Sequence, residues 1–505
     1  MDIADQLTAV IAVDPGAPAI EQDGAWDTWG DVSRIAAGLS EHIADVPADA
    51  AIAVVSRNRV EIVSSVLGLL AARRAILTLN EMQSDASLAA EIVKLRPAVV
   101  IASAQDWERP GLLEAVVEAG SRALLVKRAP SAEVIHVRDC FRQGSLDHFR
   151  AGEDCAINLK TSGTTGPPKR VEITYSSLSA SIASVQSHHG DGASAEEVRL
   201  RSGVTIQMLA LAHTSAIQSV CTTIAAGRRL VLLDRFEPVA WARLVHEHKV
   251  VTTGIPPAAI RMVLDSDIPV DWLSSLKAVR AGSAPLDPAI GEEFTRRFGV
   301  PVLQAYGATE FQGLASWTLK DYRAFHETKK GAVGRVHPGV EVRVVDPETQ
   351  AVLAVGSQGI LEVRTAQAAN GSPSDWIRTS DLARSDEDGF LWILGRADGA
   401  INRGGFKIDP NEVATTLSRH PAVADAAVVA LPDRRLGQVP AAAIELVPGA
   451  EDPGEAELKA WVRSNLEPYK VPVHIRIVDS LPRTVALKPD RQAIVRLLDI
   501  EVPTS

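Results

Sequence analysis

Short apolar runs of strand length alternate with helical patterns through most of this 505-residue chain. The run AIAVV at 51–55 is typical of a buried strand, and VEIVSSVLGLLAA at 60–72 follows it with the apolar spacing of a helix. The same order recurs from LVLL at 230–233 to PVLQAY at 301–306. This alternation predicts parallel sheets covered by helices, with ligand sites at the carboxyl ends of the strands.

The pattern changes in the last third of the chain. From about residue 335, the segments VEVRVVD, GILEVRT and GFLWILG are typical of antiparallel strands. A second and smaller run of strands and helices follows after residue 396. We therefore predict an α/β protein with two domains. Residues 1–396 form a large N-terminal domain of helix-covered sheets with a β-rich subdomain, and residues 397–505 form a small α+β domain.

Composition and charge exclude several classes of protein. With 46% hydrophobic and 23% charged residues, the chain has the composition of a globular protein. The net charge of -11 argues against nucleic acid as a partner, since binding it needs a cationic face. Its longest apolar runs, such as 63–72, are too short to cross a bilayer, and the N-terminus lacks the basic region of a signal peptide. We therefore expect a cytoplasmic protein without a membrane span.

The stretch LKTSGTTGPPKR at 159–170 is too rich in glycine and proline for the interior of a helix or strand. Hydroxyl groups, glycines that permit close approach and a lysine are groups that can surround a polyphosphate: Thr161, Ser162, Thr164, Thr165, Gly163, Gly166 and Lys169. The spacing differs from a Walker A motif, because no Lys-Ser or Lys-Thr pair follows the second glycine at the required distance. Taken alone, the stretch fits a phosphate loop or an ordinary surface turn.

Charged and aromatic residues follow later predicted strands. In QAYGATE, the residues Tyr306, Thr309 and Glu310 emerge at the carboxyl end of a strand. A tyrosine ring there can stack on a base, and a carboxylate can hold Mg²⁺. The segment WIRTSDLA is predicted to place Asp381 in a loop, where its carboxylate can accept hydrogen bonds from a ribose.

Two further motifs lie in the C-terminal region. GRADGAINRGGFKIDPNEV at 395–413 is predicted to be a glycine-rich turn that opens a helix, and LPRTVALKPDR at 481–491 places Lys488 in a loop between prolines. In this order and at these distances, TSGTTGPPK, AYGATE, RTSD, GRAD with GGFKIDPNEV, and PRTVALK resemble the core motifs of adenylate-forming enzymes. That superfamily includes acyl-CoA synthetases, peptide-synthetase adenylation domains and luciferases. The resemblance spans at least residues 159–491.

The resemblance implies a nucleotide site. The residues expected to bind ATP are Thr161, Ser162, Gly163, Thr164, Thr165, Gly166, Lys169, Gly282, Ser283, Ala284, Pro285, Tyr306, Gly307, Asp381 and Arg396. Within this set the loop at 161–169 would hold the β- and γ-phosphates. Tyr306 would stack on adenine beside the GSAP segment at 282–285, and Asp381 with Arg396 would bind the ribose.

The resemblance also implies four catalytic residues, which are Lys488, Glu310, Thr309 and His213. Thr309 would contact the α-phosphate, and Glu310 would hold Mg²⁺. Lys488 would bridge the substrate carboxylate and the α-phosphate. That role is physically reasonable, because an oxygen anion must approach an anionic phosphate and an ammonium group neutralises the developing charge.

The acyl pocket of the family is expected beside His213, and its further residues are Gly307, Phe311, Gly313 and Leu314. Peptide-synthetase domains have an aspartate in the His213 segment to pair with the substrate ammonium, whereas this chain has Ala212, His213 and Thr214. A buried ammonium without a carboxylate partner is costly. The substrate is therefore expected to be a carboxylic acid without an amino group, of the aryl, alkyl or polycyclic type.

The small C-terminal domain is mobile in this family and is expected to serve two half-reactions. It would rotate about a hinge at Asp398 and deliver the Lys488 loop for the first step. For the second step it would deliver the loop Gly404, Gly405 and Phe406. The acid and ATP then give acyl-AMP and pyrophosphate, and CoA displaces AMP. ATP, Mg²⁺ and CoA as co-substrate are the implied cofactors.

Four features depart from the family pattern. Arg170 and Leu487 occupy positions where glycine is common, TSD replaces TGD at 379–381, and the segment at 365–375 is short. Two other functions therefore stay open. One is an acyl-AMP ligase that loads the phosphopantetheine of a carrier protein, and the other is a degenerate homologue that binds nucleotide or acyl ligand without turnover. Both a monomer and a homodimer are compatible with the sequence.

Overall fold

A computed structural model of the protein describes residues 2–142, 148–160, 169–189, 198–284, 286–369, 373–397, 399–403, 406–433, 436–484 and 487–499. The chain divides into two units. The first contains most residues up to Val342 together with 363–377, and the second contains 343–362 and the chain from Arg378 onward. The two units interleave in sequence, so they do not correspond to a single cut in the chain. The domain boundary at residue 396 therefore stays a prediction.

The first half of the first unit alternates strands and helices. Its elements are α1 (Ile3–Val13), β1 (Pro18–Gln22), β2 (Ala25–Thr28), α2 (Trp29–His42), β3 (Ile52–Val55), α3 (Val60–Ala71), β4 (Ile76–Leu79), α4 (Asp85–Leu95), β5 (Val99–Ala102), α5 (Ala104–Trp107), α6 (Leu112–Glu118), β6 (Arg122–Val126), β7 (Val134–Asp139), β8 (Cys155–Lys160) and β9 (Arg170–Thr174). One sheet has the order β7-β6-β5-β3-β4-β8-β9. Its central strands β3, β4, β5, β6 and β8 are parallel, as the alternation predicts.

The second half of this unit continues the pattern with α7 (Tyr175–His189), β10 (Val204–Gln207), α8 (Thr214–Ala225), β11 (Arg229–Leu232), α9 (Pro238–His248), β12 (Thr252–Gly254), α10 (Pro257–Leu264), β13 (Ala278–Ala281), α11 (Pro288–Phe298), β14 (Val302–Ala308), β15 (Gln312–Ser316), α12 (Leu319–Phe325) and β16 (Gly334–Val336). The strands pair in the orders β10-β11-β1-β2 and β12-β13-β14-β15-β16. Strands β12, β13 and β14 are parallel, and β15 returns antiparallel to β14.

Apolar helix faces and strands form the core of the first unit. The strands β3, β4 and β5 are buried along their whole length, as expected for parallel strands covered by helices on both faces. The tryptophans Trp29 and Trp241 are at most 1% exposed and lie in two separate clusters of buried side chains. Helix α2 begins with a capping box between Thr28 and Asp31, which satisfies backbone N–H groups at its start.

The second unit contains β17 (Val340–Val345), which begins in the first unit, β18 (Gly359–Thr365), β19 (Ile377–Ser385), β20 (Phe390–Arg396), β21 (Ile401–Arg403), β22 (Phe406–Ile408), α13 (Pro410–Ser418), β23 (Val423–Asp433), β24 (Gly437–Leu446), α14 (Gly454–Asn465), β25 (His474–Val478) and α15 (Arg491–Asp499). Strand orders are β20-β19-β18-β17 and β22-β21-β24-β23, with β25 parallel to β24. The predicted antiparallel and α+β character is confirmed.

One local prediction in this unit is confirmed for the helix and wrong for the segment before it. The glycine-rich segment at 395–413 does not pass directly into a helix, because the short antiparallel strands β21 and β22 precede α13. The helix itself begins with Asp409 as its N-cap, whose carboxylate accepts a hydrogen bond from the backbone N–H of Asn411. Along the described ranges, no helix combines the length and the apolar character that a bilayer crossing requires.

Candidate active site

The AYGATE motif forms the end of β14 and the tight turn into β15. An added Cβ at Gly307 would lie 2.2 Å from the carbonyl oxygen of Gln312, so a side chain does not fit there. The backbone N–H of Phe311 donates to the carbonyl of Ala308 at 3.3 Å and closes the turn. Glu310 is exposed in this turn. The strand and its turn therefore direct the motif outward, as the sequence predicts.

Tyr306 and Thr309 are held on either side of this turn. The ring of Tyr306 is half-buried, and its centroid lies 5.9 Å from that of Phe311, which is 2% exposed. The hydroxyl of Thr214 donates to the hydroxyl of Thr309 at 3.0 Å. Because Thr214 is the first residue of α8 and His213 is its N-cap, this bond brings the His213 segment beside the motif. Sequence reasoning missed the contact of Thr214, although it identified the segment.

The GSAP segment lies against the same strand. Strand β13 is parallel to β14, with Ala281 opposite Gln304, and Gly282 follows it directly. An added Cβ at Gly282 would be 3.2 Å from the carbonyl oxygen of Ala305, the neighbour of Tyr306. Ser283 has a φ of +69°, and Pro285 lies outside the described residues. The described part of GSAP is therefore beside Tyr306, as expected.

Residues 161–168 of the predicted phosphate loop lie outside the described residues, and the structure describes the strands on both sides of them. Strands β8 and β9 pair antiparallel with Lys160 opposite Arg170, and Lys169 is exposed. The side chain of Arg170 is 15% exposed and pairs with Glu91 at 2.9 Å. It also donates to Oδ1 of Asn158 at 2.9 Å and to the carbonyl of Thr78 at 3.1 Å.

These contacts resolve what Arg170 does. It does not extend into solvent, because its guanidinium joins strand β8, strand β4 and helix α4 at the base of the loop. Burial would raise the pKa of Glu91, but hydrogen bonds from Gln83 and Arg170, with the charges of Arg170 and Lys160, lower it. The buried carboxylate therefore stays ionised and keeps its partner.

In the second unit, Asp381 and Arg396 are neighbours across a strand pair. Asp381 lies on β19 and Arg396 on β20, and their Cα atoms are register partners. The prediction that Asp381 lies in a loop is therefore wrong. The chain keeps hydrogen-bonding as a strand beyond the apolar residues, since β20 supplies a partner through Ser385. Arg396 also donates to the hydroxyl of Ser380, the serine that replaces the common glycine of this motif.

Lys488 belongs to the same group of charges. Burial lowers its pKa from the ordinary lysine value; the charge of Arg396 lowers it further, and the charge of Asp381 opposes the shift. The structure therefore brings together three of the residues that the sequence predicts for one site. Their roles in binding and catalysis stay predictions.

The loop that carries Lys488 is pinned by backbone contacts. Thr484 N donates to the carbonyl of Lys488 at 2.7 Å, and Leu487 N donates to the carbonyl of Thr484 at 2.9 Å. Arg483 forms a bridge with Pro489, donates to the carbonyl of Leu487 at 3.1 Å, and pairs with Asp425. Leu487 has a φ of +58°, the left-handed conformation that glycine adopts without strain. The family preference for glycine at this position therefore has a conformational basis.

The predicted hinge and second loop are described in part. Asp398, Gly404 and Gly405 lie outside the described residues, whereas Phe406 begins β22 with its backbone opposite Arg403. Gly395, directly before Arg396, has a φ of +136°, and an added Cβ would lie 2.5 Å from Oδ2 of Asp409. Only glycine fits at this point of close contact.

Of the predicted pocket residues, Phe311 and Leu314 are buried at 2% and 0% exposure, and Gly313 is half-buried between them on β15. His213 is half-buried at the start of α8. These residues therefore lie around the turn of the AYGATE motif within the first unit. Whether they contact substrate is a prediction.

Comparison with known proteins agrees with the motif pattern. The sequence model of the AMP-binding enzymes matches residues 7–372, and that of the AMP-binding enzyme C-terminal domain matches residues 412–488. The protein 4-coumarate–CoA ligase-like 3 of Arabidopsis thaliana is 26% identical over 93% of this chain and 87% of its own length. The related 4-coumarate–CoA ligase-like 2 of Arabidopsis thaliana is 32% identical over 68% of this chain and 62% of its own length.

Solved structures share the fold. ATP-bound MatB from Rhodopseudomonas palustris has a TM-score of 0.82 and 23% identity, covering 99% of both chains. The amide bond synthetase McbA from Marinactinospora thermotolerans has a TM-score of 0.79 and 25% identity, covering 98% of this chain and 99% of its own. The fold is thus a mixed α/β fold with a large N-terminal and a small C-terminal domain.

These matches define the class of the protein, which is that of the AMP-forming acid–thiol ligases. The chain belongs to the AMP-binding enzyme family, within the adenylate-forming superfamily. The resemblance stated from the motifs is confirmed.

Proposed function

We propose that the enzyme joins a non-amino carboxylic acid to the thiol of CoA, using ATP and Mg²⁺. The observation that carries the choice of acid is the hydrogen bond between Thr214 and Thr309. It puts residues 212–214 beside the adenylation motif, and Ala212, His213 and Thr214 contribute no carboxylate that could pair with a substrate ammonium. Without such a partner, an α-amino group would be buried at high cost.

In the first step, a carboxylate oxygen of the acid attacks the α-phosphorus of ATP. The new C–O–P linkage forms while the bond between the α-phosphorus and the bridging oxygen breaks, and pyrophosphate leaves. Thr309 positions the α-phosphate, Tyr306 stacks on adenine, and Asp381 with Arg396 binds the ribose. The ammonium of Lys488 neutralises the charge where two anions meet, which typically lowers a barrier by about 2.7–4 kcal/mol.

In the second step, the CoA thiolate attacks the acyl carbon. The C–S bond forms, the C–O bond to AMP breaks, and the thiol proton is released to solvent. The loop of Gly404, Gly405 and Phe406 serves this step after rotation about Asp398, and the Lys488 loop serves the first.

Mg²⁺ suits the chemistry of the donors beside the α-phosphate. No group of three or more histidine, cysteine, aspartate or glutamate side chains is arranged to hold a metal ion within the described ranges. The exposed carboxylate of Glu310 would hold Mg²⁺ together with phosphate oxygens, an arrangement that Mg²⁺ commonly adopts. When bound, the ion would neutralise phosphate charge.

The test is pyrophosphate release from ATP with a panel of aryl, short, long and polycyclic acids, each with and without CoA. A ligase releases pyrophosphate with the right acid and forms AMP and acyl-CoA only when CoA is present. Strong turnover with an amino acid alone, or no pyrophosphate from the whole panel, would contradict the proposal. The Lys488→Ala variant serves as the low-activity control in the same assay.

The acceptor distinguishes the alternatives. An enzyme that loads a carrier protein accumulates acyl-AMP even when CoA is present. It turns over only when a phosphopantetheinylated carrier is added. Because McbA is an amide bond synthetase, the panel includes amines as acceptors. A binding protein without activity releases no pyrophosphate and still binds ATP in calorimetry.

A further inference from the structure

Ser380 lies in the strand pair that carries Asp381 and Arg396. It belongs to β19, and its half-buried hydroxyl accepts a hydrogen bond from Nη2 of Arg396. Its backbone carbonyl accepts a second hydrogen bond, from the N–H of Ala397 at 2.7 Å. This one residue therefore contacts both the guanidinium of Arg396 and the backbone that follows it.

The backbone around Ser380 is itself held in place. Thr379 donates its hydroxyl proton to the carbonyl of Leu361 on β18 at 2.8 Å, and this bond ties the segment to the neighbouring strand. The N–H of Asp381 donates to the same hydroxyl oxygen of Thr379 at 3.0 Å. On the other side, β20 pairs with β19. The hydroxyl of Ser380 is therefore presented from a backbone that is fixed on both sides.

An irregularity in β20 affects the direction of Arg396. The register with β19 shifts next to the pair of Leu382 with Gly395, and β20 contains one residue more than its partner there. Such a β-bulge bends a strand and changes the direction of the side chains beside it. Gly395 follows the extra residue with a φ of +136° and directly precedes Arg396. The bulge and the glycine are therefore the local features that set the course of the chain at Arg396.

A neutral acceptor suits the charge at this place. The charge of Arg396 contributes to the lowered pKa of Lys488, so the two cations lie within range of each other. A hydroxyl oxygen accepts a hydrogen bond from a guanidinium without cancelling its charge, whereas a carboxylate would neutralise that charge and glycine would offer no side-chain acceptor. The hydroxyl of Ser380 therefore orients Arg396 and leaves its positive charge in place.

We propose that Ser380 is a positioning residue for the nucleotide, because it holds the guanidinium of Arg396 in the orientation that binds the ribose of ATP. This inference rests on the proposed function, since it concerns the same ribose site. An arginine side chain has several rotatable bonds, and fixing them costs conformational entropy. A guanidinium that is already oriented loses less entropy when the ribose binds.

The test compares ATP with 2′-deoxy-ATP and 3′-deoxy-ATP in the acid-dependent exchange of labelled pyrophosphate into each nucleotide. The native enzyme should prefer ATP to at least one of the analogues, because that analogue lacks the hydroxyl that Arg396 binds. Ser380→Ala should raise KM for ATP about 10-fold with kcat nearly unchanged, since a hydrogen bond to a charged group is lost. The same variant should change KM for that analogue little, because the interaction with the ribose hydroxyl is already absent.

This comparison separates positioning from a merely structural role. A structural defect would raise KM for all three nucleotides by the same factor, and that result would overturn the proposal. An unchanged KM for ATP in Ser380→Ala would overturn it as well. Neither result would affect the ligase function, because both require exchange to be present.

Two further variants locate the effect in the hydroxyl. Ser380→Thr retains the hydroxyl on a residue that suits a strand, and its KM for ATP should stay close to that of the native enzyme. A threonine variant with native stability and the KM of the alanine variant would contradict the proposal. Ser385→Ala is the matched control, because it removes a hydroxyl from the same strand at a position that pairs with Leu391 and not with Arg396.

A binding measurement keeps the two proposals separable. Calorimetry with ATP and with the two deoxy analogues, without acid, tests the ribose site without chemistry. If no acid supports exchange while ATP binds the native protein about 10-fold more tightly than Ser380→Ala, and that difference is lost with one analogue, the ligase function is wrong and the positioning role stands. If ATP binds both proteins equally, the positioning role is wrong. Cooperative thermal unfolding of each variant verifies folding.

Discussion

The AYGATE turn of the first unit and the Lys488 loop of the second unit are both tight backbone segments, but a different residue type stands at the restricted position in each. Both must present a polar side chain at the end of a tight backbone segment. At Gly307 the carbonyl of Gln312 would be 2.2 Å from an added Cβ, so the position excludes every side chain. At Leu487 the backbone is left-handed, yet a leucine side chain is accommodated.

The difference shows that glycine is required for two separable reasons. A close backbone contact is relieved only if the neighbouring strand moves away, because that strand occupies the space. A left-handed φ costs only about 1–2 kcal/mol for other residues, which hydrogen bonds around the loop can offset. In this chain the Lys488 loop has such bonds, from Thr484 and Arg483.

The largest effect is expected from removing the lysine itself. Lys488→Ala should lower the adenylation rate about 10²- to 10³-fold, since an ammonium at the developing charge is lost. Transfer of the acyl group from preformed acyl-AMP to CoA should stay close to normal. Separate assays of the two half-reactions measure this. An equal loss in both would contradict the division of labour between the two loops of the second unit.

The second-largest effect is expected from adding a side chain at Gly307. Gly307→Ala should destabilise the first unit by about 1–3 kcal/mol, because the strand pair must separate to admit a methyl group. Adenylation should fall with it. Gly291→Ala on α11 is the control, since its added Cβ meets only ordinary contacts of 3.6 and 3.7 Å. Denaturant unfolding of both variants measures the difference in the free energy of unfolding. Equal stability of the two variants would show that β14 and β15 can separate without cost.

Removing Arg170, which lies beside the predicted phosphate loop, should have a comparable or smaller effect. Arg170→Met should cost about 1–3 kcal/mol in the free energy of unfolding, because Glu91 loses a buried partner and, among the described residues, keeps Lys160 and Gln83. In the double variant with Glu91→Gln, the cost should be smaller than the sum of the two single effects. Additive effects in this cycle would mean that the pair is not coupled.

A small gain is expected at the lysine loop. Leu487→Gly should be more stable than Leu487→Ala by about 1 kcal/mol, because alanine removes the same side chain beyond Cβ and retains the left-handed strain. The comparison of these two variants separates the cost of the left-handed backbone from the effect of losing side-chain packing. Thermal unfolding of the two variants measures the difference, and a more stable alanine variant would show that the strain is absent.

Adenylation is expected to decline as pH rises, because it depends on the charged form of Lys488. The pKa of Lys488 is lowered by burial and by Arg396, so the ammonium is present below this pKa and is lost as pH rises through it. Adenylation should therefore decline at a lower pH than an ordinary lysine permits. Lys488→Arg should move the decline upward, since arginine stays protonated. Identical alkaline limbs in rate profiles would exclude Lys488 as the group.

Much of the fold was predictable because it depends on local pattern. The alternation of strands and helices, the second small α/β unit and the emergence of Thr309 and Glu310 at a strand end all follow from apolar periodicity and turn residues. The loop expected at Asp381 was wrong, since polar letters such as RTSD are compatible with a strand once β20 provides partners. Pattern alone does not reveal such a partner.

Residues alone were enough to identify the family, the order of the motifs and the lack of a carboxylate in the 212–214 segment. These depend on residue identity and spacing along the chain. The folded structure was needed to show that Arg170 is buried against Glu91, that Ser380 accepts a hydrogen bond from Arg396, and that the backbone at Leu487 is left-handed. It also brought His188 and His337 together from two distant segments, with their ring centroids 4.3 Å apart. Contacts between residues far apart in sequence depend on how sheets and helices pack, and no local pattern encodes them.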